Sequence, residues 1–408
     1  MKSGDEIQAL LDAAEQYCAP YFAERDRIER IAFRRVQRAF SEERVQTSDF
    51  APSTGYGYND MGRDKLDRVF ARALECEDAI VRPQIVSGTH ALAAALFGLL
   101  RPGDILIAAT GKPYDTLDGV IGYAVEHQGS LRAHGIGYKQ IELDADGAPD
   151  LPAIRAAITD GARVVAVQRS RGYAARPSLM PEQIDEIANE AHALRADAIV
   201  LVDNCYGEFT REHEPLRADL LVGSLIKNPG GGLAPTGGYI AGRADLVERV
   251  ADRLTSPGIG REVGSYAGGY RLFYQGLYAA PHAVAQASRI GILTARVFEM
   301  LGYETNPRSD APRGDIVQAV RLRSEQRVKS LCRAVQEASP VDAFAVPESW
   351  DMPGYSDQVI MAAGTFVSGA SIELSADAPM RPPYDVYIQG GLTLAHGRIM
   401  LENALRYI

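Results

Sequence analysis

Short apolar runs alternate with amphipathic segments of helix length along most of the chain. Helical periodicity extends over residues 3–40, and Pro20 is expected to divide this stretch into two helices. Residues 46–62 are rich in glycine, serine, threonine and aspartate, a composition typical of a loop or arm. Further helices are predicted over residues 63–75, 91–100, 115–126, 151–159, 181–194, 246–254 and 269–301, and strands over residues 79–86, 104–109, 138–143, 163–168, 198–202, 220–224 and 238–241.

This alternation of strands and helices predicts an α/β fold. Its main feature should be one large, doubly wound, mostly parallel sheet with helices on both faces. From about Asn306 onward the elements are shorter and mixed, which indicates a smaller C-terminal α+β domain. We therefore expect N-terminal helices and an arm over residues 1–62, a large domain over 63–280 and the smaller domain over 281–408.

Composition narrows the classes of partner. The 408 residues carry a formal net charge of −10, which argues against nucleic acid or an anionic membrane as a partner. The four cysteines form no CxxC pair and the seven histidines lack metal-ligand spacing, so neither disulfides nor a metal site is predicted. No apolar stretch is long enough to span a bilayer, and the first residues lack the apolar core of a signal peptide. A cytoplasmic protein is expected.

Five polar or glycine-rich turns follow predicted strands. In open α/β sheets, ligands bind beyond the carboxyl ends of the strands, so the convergence of these turns predicts a binding crevice. The turns lie at residues 87–90, 112–115, 169–173, 203–206 and 224–228.

The first of these turns precedes a predicted helix. Backbone N–H groups of Gly88 and Thr89 at a helix start would hold a phosphate. A plain turn with Thr89 as the N-cap fits the sequence equally well.

Asp203 and Lys227 occupy two of the other turns. Asp203 follows five apolar residues and is either a turn aspartate or a buried carboxylate that pairs with a ring nitrogen cation, as enzymes of pyridoxal 5′-phosphate (PLP) require. Lys227 is either a strand-end lysine that reaches solvent or a desolvated, nucleophilic amine. Only six of the 43 basic residues are lysines, and the glycine run after Lys227 would let backbone approach a bulky ligand. Both facts favour a functional lysine, and the 24-residue spacing from Asp203 is moderately specific for PLP sites.

Taken in order, these segments resemble the cystathionine/methionine γ-lyase group of PLP enzymes, and most closely its methionine γ-lyase-like or aluminium-resistance branch. The resemblance implies fold type I (aspartate aminotransferase-like) and PLP bound to Lys227 as a Schiff base. It covers nearly the whole chain and rests on the segments STGYGYNDMGRD, VRPQIVSGTHALAAALFGLLRPGD, TGKPYDTL, QRSRGY, VDNCYGEF, GSLIKNPGGGLAPTGGYIAGR, TSPGIGREVG, WDMPGYSDQVIMAAGTF and GASIELSADAPMRPPYDVYIQGGLT.

The resemblance implies roles for residues that match the group by position. Gly88 and Thr89 occupy its phosphate-binding turn, and Ser224 matches a phosphate-binding serine. Asp203 matches the partner of the ring nitrogen. Tyr114 matches the tyrosine that stacks on the ring and moves protons at the leaving group.

The resemblance implies two further contacts with the cofactor, one made by a neighbouring subunit and one to the hydroxyl of the PLP ring. Tyr56 matches an arm tyrosine that reaches the phosphate of the neighbouring subunit. Tyr58 stands where the arm has its arginine, so Arg63 is the expected substitute. Tyr173 lies near the position of the asparagine that contacts the ring hydroxyl. The arm implies a homodimer or homotetramer with shared active sites.

The arginine that binds the substrate carboxylate in the wider group is missing from its usual place. Tyr387 stands there, in the segment VYIQGGL. Arg381 is the expected replacement because a guanidinium suits a carboxylate well, although Pro382 and Pro383 also fit a structural turn.

These features predict a PLP-dependent carbon–sulfur, or other carbon–heteroatom, lyase. It would perform β- or γ-elimination on an L-amino acid such as methionine or cystathionine, with a thiolate or a halide as leaving group. Lys227 would remove the Cα proton, and Tyr114 would assist the departure of the leaving group. Three alternatives stay open: γ-replacement, transamination, and a non-catalytic PLP-binding protein in metal tolerance.

Overall fold

One long N-terminal helix and two β-sheets form the framework. The computed structural model describes residues 3–124, 126–352, 355 and 357–408, so Lys2 and parts of the predicted segments 115–126 and 350–366 lie outside the described residues. Helix α1 (Gly4–Glu42) is continuous, and the predicted break at Pro20 is wrong. Pro20 and Gln16, whose carbonyl loses its hydrogen bond to the proline, are both exposed. Water can hydrate this carbonyl while the buried face of α1 holds the helix together.

The larger sheet has seven strands. Strands β2 to β6 pair in parallel, and β7 is antiparallel to both of its neighbours, as expected for a mostly parallel sheet. The strands are β1 (Asp78–Arg82), β2 (Ile105–Ala108), β3 (Gly137–Gln140), β4 (Ala162–Gln168), β5 (Ile199–Asp203), β6 (Leu220–Ser224) and β7 (Gly238–Gly242), in the order β1-β7-β6-β5-β4-β2-β3.

Helices cover both faces of this sheet. One apolar core joins alternate strand residues to α2, α5, α6 and α8, and a second joins the remaining ones to α3 and α7. This two-sided burial explains why the central strands are continuous apolar runs. The helices are α2 (Met61–Ala73), α3 (Gly88–Leu99), α4 (Asp118–Ile121), α5 (Leu151–Thr159), α6 (Pro181–Leu194), α7 (Ala244–Leu254) and α8 (Arg271–Met300).

The second sheet is antiparallel and lies in the C-terminal part of the chain. Its core also includes α9 (Glu325–Ala338), α10 (Leu394–Tyr407) and the first half of α1. The second half of α1 belongs to the core of the larger sheet, so α1 connects the two. The strands are β8 (Glu304–Asn306), β9 (Gln318–Arg321), β10 (Ser349–Trp350), β11 (Val359–Ala362), β12 (Ser375–Pro379) and β13 (Asp385–Gln389), in the order β10-β11-β12-β13-β9-β8.

Two other predictions need correction or stay open. The helix predicted over residues 115–126 is only a short 3₁₀ turn followed by α4, because Gly122 adopts a left-handed conformation (φ +77°) that ends the helix. The proposed domain boundary after residue 280 falls inside α8, so the division into domains stays a proposal. Within the described parts of the chain, no helix combines the length and apolar character needed to cross a membrane.

Candidate active site

Lys227 lies three residues beyond the end of β6, at the carboxyl edge of the larger sheet. Its Nζ atom is 4.0 Å from the centroid of the Tyr206 ring, whose face attracts a cation. Burial lowers the pKa of Lys227, but the neighbouring Cys205, Tyr206 and Asp203 raise it by more, and the net direction is upward. The surroundings of this lysine are therefore built for a positively charged nitrogen.

The glycine run after Lys227 has a packing role. A Cβ atom added to Gly230 would lie 1.8 Å from the carbonyl oxygen of Leu225, and one added to Gly231 would lie 2.5 Å from that of Gly276 in α8. Gly231 also has a φ of +54°. These glycines allow close contact between chain segments, and ligand approach is not what requires them.

Asp203 is the last residue of β5, and it pairs in register with Val222 of β6. This register brings its carboxylate to the same edge of the sheet as Lys227. Oδ1 of Asp203 accepts the backbone N–H of Cys205 at 3.2 Å. Burial raises the pKa of the Asp203 carboxyl, and the positive charge of Lys227 lowers it. A buried carboxylate of this kind is suited to a cationic partner.

The start of α3 faces the end of β6. Ser87 is the N-cap, with Oγ 3.0 Å from a backbone nitrogen of the first turn, so the alternative that made Thr89 the cap is wrong. Gly88 and Thr89 fall in the first turn, where N–H groups lack partners within the helix. A Cβ added to Gly88 would lie 3.5 Å from Cβ of Ser224. Backbone donors and a serine hydroxyl thus face each other, which suits a phosphate.

Tyr114 belongs to a cluster of tyrosines above Lys227. Its ring centroid is 6.2 Å from that of Tyr173, and its hydroxyl is hydrogen-bonded to the hydroxyl of Tyr355. Tyr387 donates its hydroxyl to the carbonyl oxygen of Tyr173 at 2.9 Å. Burial raises the pKa of Tyr114, so its phenol keeps its proton at neutral pH.

A cavity of about 180 Å³ connects Lys227 with the second sheet. The second-sheet residues in its lining carry no role in the sequence predictions. A signal for them was present, because Ser375 and Asp377 are polar residues two positions apart in an apolar segment. The cavity is lined by Tyr114, Tyr206, Lys227, Tyr355, Met361, Ala363, Gly369, Ala370, Ser371, Ser375, Ala376, Asp377 and Gln389.

Arg381 lies outside this cavity. It is exposed, forms an ion pair with Asp357, and lines a separate cavity of about 220 Å³ on the other side of Tyr114. The structure therefore does not bring Arg381 to Lys227, and its predicted contact with a substrate carboxylate stays a prediction.

The two arm residues also lie away from Lys227 of their own chain. Tyr56 is 73% exposed, which leaves it available to a second subunit. Arg63 is 1% exposed and donates to the carbonyl oxygens of Gly57 at 2.9 Å and Glu262 at 3.3 Å. Its guanidinium supports the arm from inside the chain. The phosphate contacts predicted for both residues stay predictions.

Comparison with known proteins gives the family. The model of the methionine gamma-lyase family matches residues 7–408. The chain belongs to the methionine gamma-lyase family. It is 50% identical over 374 residues to the uncharacterized protein YnbB of Bacillus subtilis (strain 168), covering 91% of this chain and 88% of that one.

Solved structures agree with this membership. A carbon–sulfur lyase of Clostridium novyi NT involved in aluminum resistance matches with a TM-score of 0.95 and 46% identity, covering 99% of this chain and 96% of that one. The PLP-dependent protein YhfS of Escherichia coli shares the fold at 16% identity, with a TM-score of 0.60 over 95% and 97% of the two chains. The predicted family, fold type I, PLP dependence and carbon–sulfur lyase class are confirmed.

The residues around Lys227 fit PLP. A pyridine ring with a phosphate and an aldehyde needs an anion site, a carboxylate for the ring nitrogen and an amine. The backbone donors at the start of α3 and the hydroxyl of Ser224 fit the first requirement, the buried carboxylate of Asp203 fits the second and the amine of Lys227 fits the third. All three lie at one edge of the larger sheet.

Proposed function

We propose that this protein cleaves the carbon–sulfur bond of an L-amino acid thioether by β- or γ-elimination, with Lys227 as the base. The observation that carries the proposal is the shared cavity, in which Lys227 and the hydroxyl-bearing Tyr114 and Tyr355 border one space of about 180 Å³. A base and a proton donor that border one small cavity suit the removal of a proton and the departure of a thiolate.

PLP, when bound, withdraws electrons from the Cα atom. Gly88, Thr89 and Ser224 would hold its phosphate, Asp203 would keep its ring nitrogen protonated, and Lys227 would anchor it.

Lys227 is the group that moves protons at carbon. Its free amine removes the proton from Cα and, in a γ-elimination, a second proton from Cβ. The Tyr206 ring, 4.0 Å from Nζ, stabilises the ammonium that forms. Acid–base assistance of this kind contributes about 10²–10⁴-fold per group.

Tyr114 donates the proton that the leaving sulfur needs. Burial raises the pKa of Tyr114, so the phenol is protonated and available. The hydrogen bond with Tyr355 orients its hydroxyl. Each turnover consumes one water and releases a thiol, ammonia and a 2-oxo acid.

The test supplies purified enzyme and PLP with L-methionine, L-cystathionine and S-alkyl derivatives of cysteine and homocysteine. Thiol and 2-oxo acid should appear in equal amounts. Pyruvate identifies cleavage at the β carbon, and 2-oxobutanoate identifies cleavage at the γ carbon. An intact side chain in the product would indicate transamination, and no turnover of any thioether would contradict the proposal. Borohydride reduction should fix the cofactor on the peptide that contains Lys227.

We also propose that the active enzyme is a homodimer or homotetramer in which Tyr56 completes the site of a neighbour. Its exposure supports this assignment. Subunits with Lys227→Ala and subunits with Tyr56→Ala should be inactive or weak alone, and a mixture should regain activity in hybrid oligomers. A mixture that regains none would contradict shared sites.

A further inference from the structure

One wall of the Lys227 cavity is polar although it lies within the second sheet. Ser375 and Asp377 are two residues apart on β12, so their side chains point to the same face. Gln389 of β13 pairs with Ser375 in register. The three residues are 6%, 7% and 7% exposed, and all line the cavity. This polar wall and Lys227 border the same cavity.

Two atoms of the polar wall lack the partners that buried polar groups normally have. Oγ of Ser375 and Oδ1 of Asp377 are buried and have no hydrogen-bond partner among the described residues. Tyr173 and Gln389 lie close enough to the Asp377 carboxylate to lower its pKa, but neither pairs with Oδ1. Buried polar atoms in native structures are nearly always paired, so unpaired atoms in a cavity wall mark a place where a water, or a ligand that displaces it, supplies the missing partner. A carboxylate oxygen only accepts hydrogen bonds, so this partner is a donor.

The charge of Asp377 determines which end of a substrate faces it. A substrate α-carboxylate is repelled by a buried carboxylate, so it has to lie elsewhere. The α-amino group is engaged at Lys227 by the reaction itself. The donor that reaches Asp377 is therefore carried by the far end of the side chain, beyond the sulfur.

We propose that Asp377, with Ser375 beside it, binds a primary ammonium group on the leaving thiol, so that the preferred substrates are thioether amino acids with an amine-bearing arm. The inference rests on the proposed elimination reaction and narrows its substrate class. Methionine, whose sulfur carries only a methyl group, lies outside this class. Asp377 acts as a specificity residue that holds the arm, while Lys227 and Tyr114 perform the proton transfers.

The kinetic test uses two arms of equal size that differ in charge. Holoenzyme is given S-(2-aminoethyl)-L-homocysteine and S-propyl-L-homocysteine, and the corresponding cysteine pair, and kcat/KM is measured from thiol release. The amine arm should be preferred by roughly 10–100-fold, the value of a hydrogen bond to a charged group. In Asp377→Asn the ratio should fall to about 1. Equal kcat/KM values for the two arms in the wild type, or an unchanged ratio in Asp377→Asn, would overturn the inference.

A binding test keeps the inference separate from the reaction. L-lysine and L-norleucine have the same six-carbon chain, differ by the distal amine that lysine adds to it, and carry no sulfur to expel. Calorimetry on the holoenzyme should give a Kd for L-lysine roughly 10-fold lower than for L-norleucine, and Asp377→Asn should remove the difference. Selective lysine binding without thiol release from any substrate would contradict the proposed function alone. Thiol release without arm preference would contradict this inference alone.

A control variant excludes a general effect of removing an acid from the second sheet. Asp385 lies on β13, pairs with Arg321 at 2.9 Å and is not part of the cavity lining. Asp385→Asn should retain the wild-type preference for the amine arm. Loss of the preference in this variant as well would assign the effect to the fold of the sheet and overturn the inference.

Discussion

The two sheets contribute to the Lys227 cavity in different ways. The larger sheet contributes Lys227 and Tyr206 from beyond the carboxyl ends of parallel strands, where loops are free to vary. The second sheet contributes Ser375 and Asp377 from within an antiparallel strand, where the alternation of side chains decides which of them face the cavity. The first arrangement suits a cofactor that the whole family uses. The second lets one or two replacements on a rigid strand change the substrate while the cofactor side stays intact.

Of the substitutions that test this difference between the two sheets, one at Lys227 should have the largest effect on activity. Lys227→Arg keeps a positive charge but cannot act as a base, because a guanidinium does not lose its proton in proteins. Release of thiol should fall by at least about 10²–10⁴-fold for every arm, charged or neutral. Lys329→Arg, at an exposed lysine paired with Glu325 at 2.6 Å, should behave as wild type. Arm-dependent loss in Lys227→Arg would mean that the cofactor side also selects the substrate.

The second effect concerns the free energy of unfolding and comes from the buried hydrogen-bond network that supports the loop after Asp203. Nη1 of Arg169 donates to Asn204 at 2.7 Å and to Glu214 at 2.9 Å, and the side chains of Arg169 and Glu214 are 0% and 1% exposed. Glu214 also pairs with Arg35 at 3.5 Å, so Arg169→Met leaves this buried carboxylate with one cation in place of two. The free energy of unfolding in urea should fall by about 1.5–3 kcal/mol, the value of a hydrogen bond to a charged group. Arg333→Met, which breaks a surface pair, should change it by less than about 1 kcal/mol. Similar values for the two variants would contradict a buried network under the Asp203 loop.

The same difference between the sheets explains what sequence could predict. Parallel strands with buried apolar runs produce turns at one edge, so the places of Asp203, Lys227 and the helix start at Gly88 followed from pattern and resemblance. The second-sheet wall of the cavity did not follow, since it depends on how two sheets far apart in sequence meet. Asp377 is 150 residues beyond Lys227, and no local pattern joins them.

Two errors have local physical causes. Pro20 was expected to break α1, but proline is tolerated where its side of the helix faces water. The glycines after Lys227 were attributed to a ligand, whereas the carbonyl of Leu225 lies against Gly230 and that of Gly276 in α8, almost fifty residues further along the chain, lies against Gly231. For both Pro20 and Gly231, exposure or a contact in the folded chain was decisive.

The third effect is the pH dependence of stability caused by Glu208, a buried acid beside the larger sheet, whereas Asp377 is a buried acid of the second sheet. Glu208, in the loop after β5, is 0% exposed, and its Oε1 accepts the hydroxyl of Tyr239 at 2.7 Å. Burial raises the pKa of Glu208 to about 8 from a usual value of 4.5. The folded state then holds a proton that the unfolded state lacks, so stability falls as pH rises from about 4.5 to about 8.

Glu208→Gln removes this proton binding and keeps an oxygen for Tyr239. Relative to wild type, the variant should gain stability across that pH range, on the order of a few kcal/mol by pH 8. Urea unfolding at several pH values measures the difference. The same change at exposed Glu325 should give no such slope, and a pH-independent difference for Glu208→Gln would contradict a protonated, buried Glu208.

The smallest effect is the pH dependence of the arm preference. Burial raises the pKa of Asp377, hydrogen bonds from Tyr173 and Gln389 and the charge of Lys227 lower it, and the resulting pKa is about 6. Asp377 is therefore mostly ionised at pH 7.5 and mostly protonated at pH 5. The other titratable groups that interact with it are Lys227, Cys332 and the tyrosines Tyr114, Tyr173, Tyr206, Tyr355 and Tyr387.

Because tyrosine, cysteine and the substrate ammonium ordinarily titrate above pH 8, Asp377 is the group among these that changes charge near pH 6. The ratio of kcat/KM for aminoethyl and propyl arms should be constant above about pH 7 and fall as pH drops through 6. Titrations at the cofactor affect both arms alike and cancel in this ratio. In Asp377→Asn the ratio should be flat with pH. If the ratio is flat with pH in the wild type, or falls equally in Asp377→Asn, a group other than Asp377 recognises the arm of the substrate. Asp377 would then not be the residue that makes the second sheet selective, and the contrast with a general cofactor side would fail.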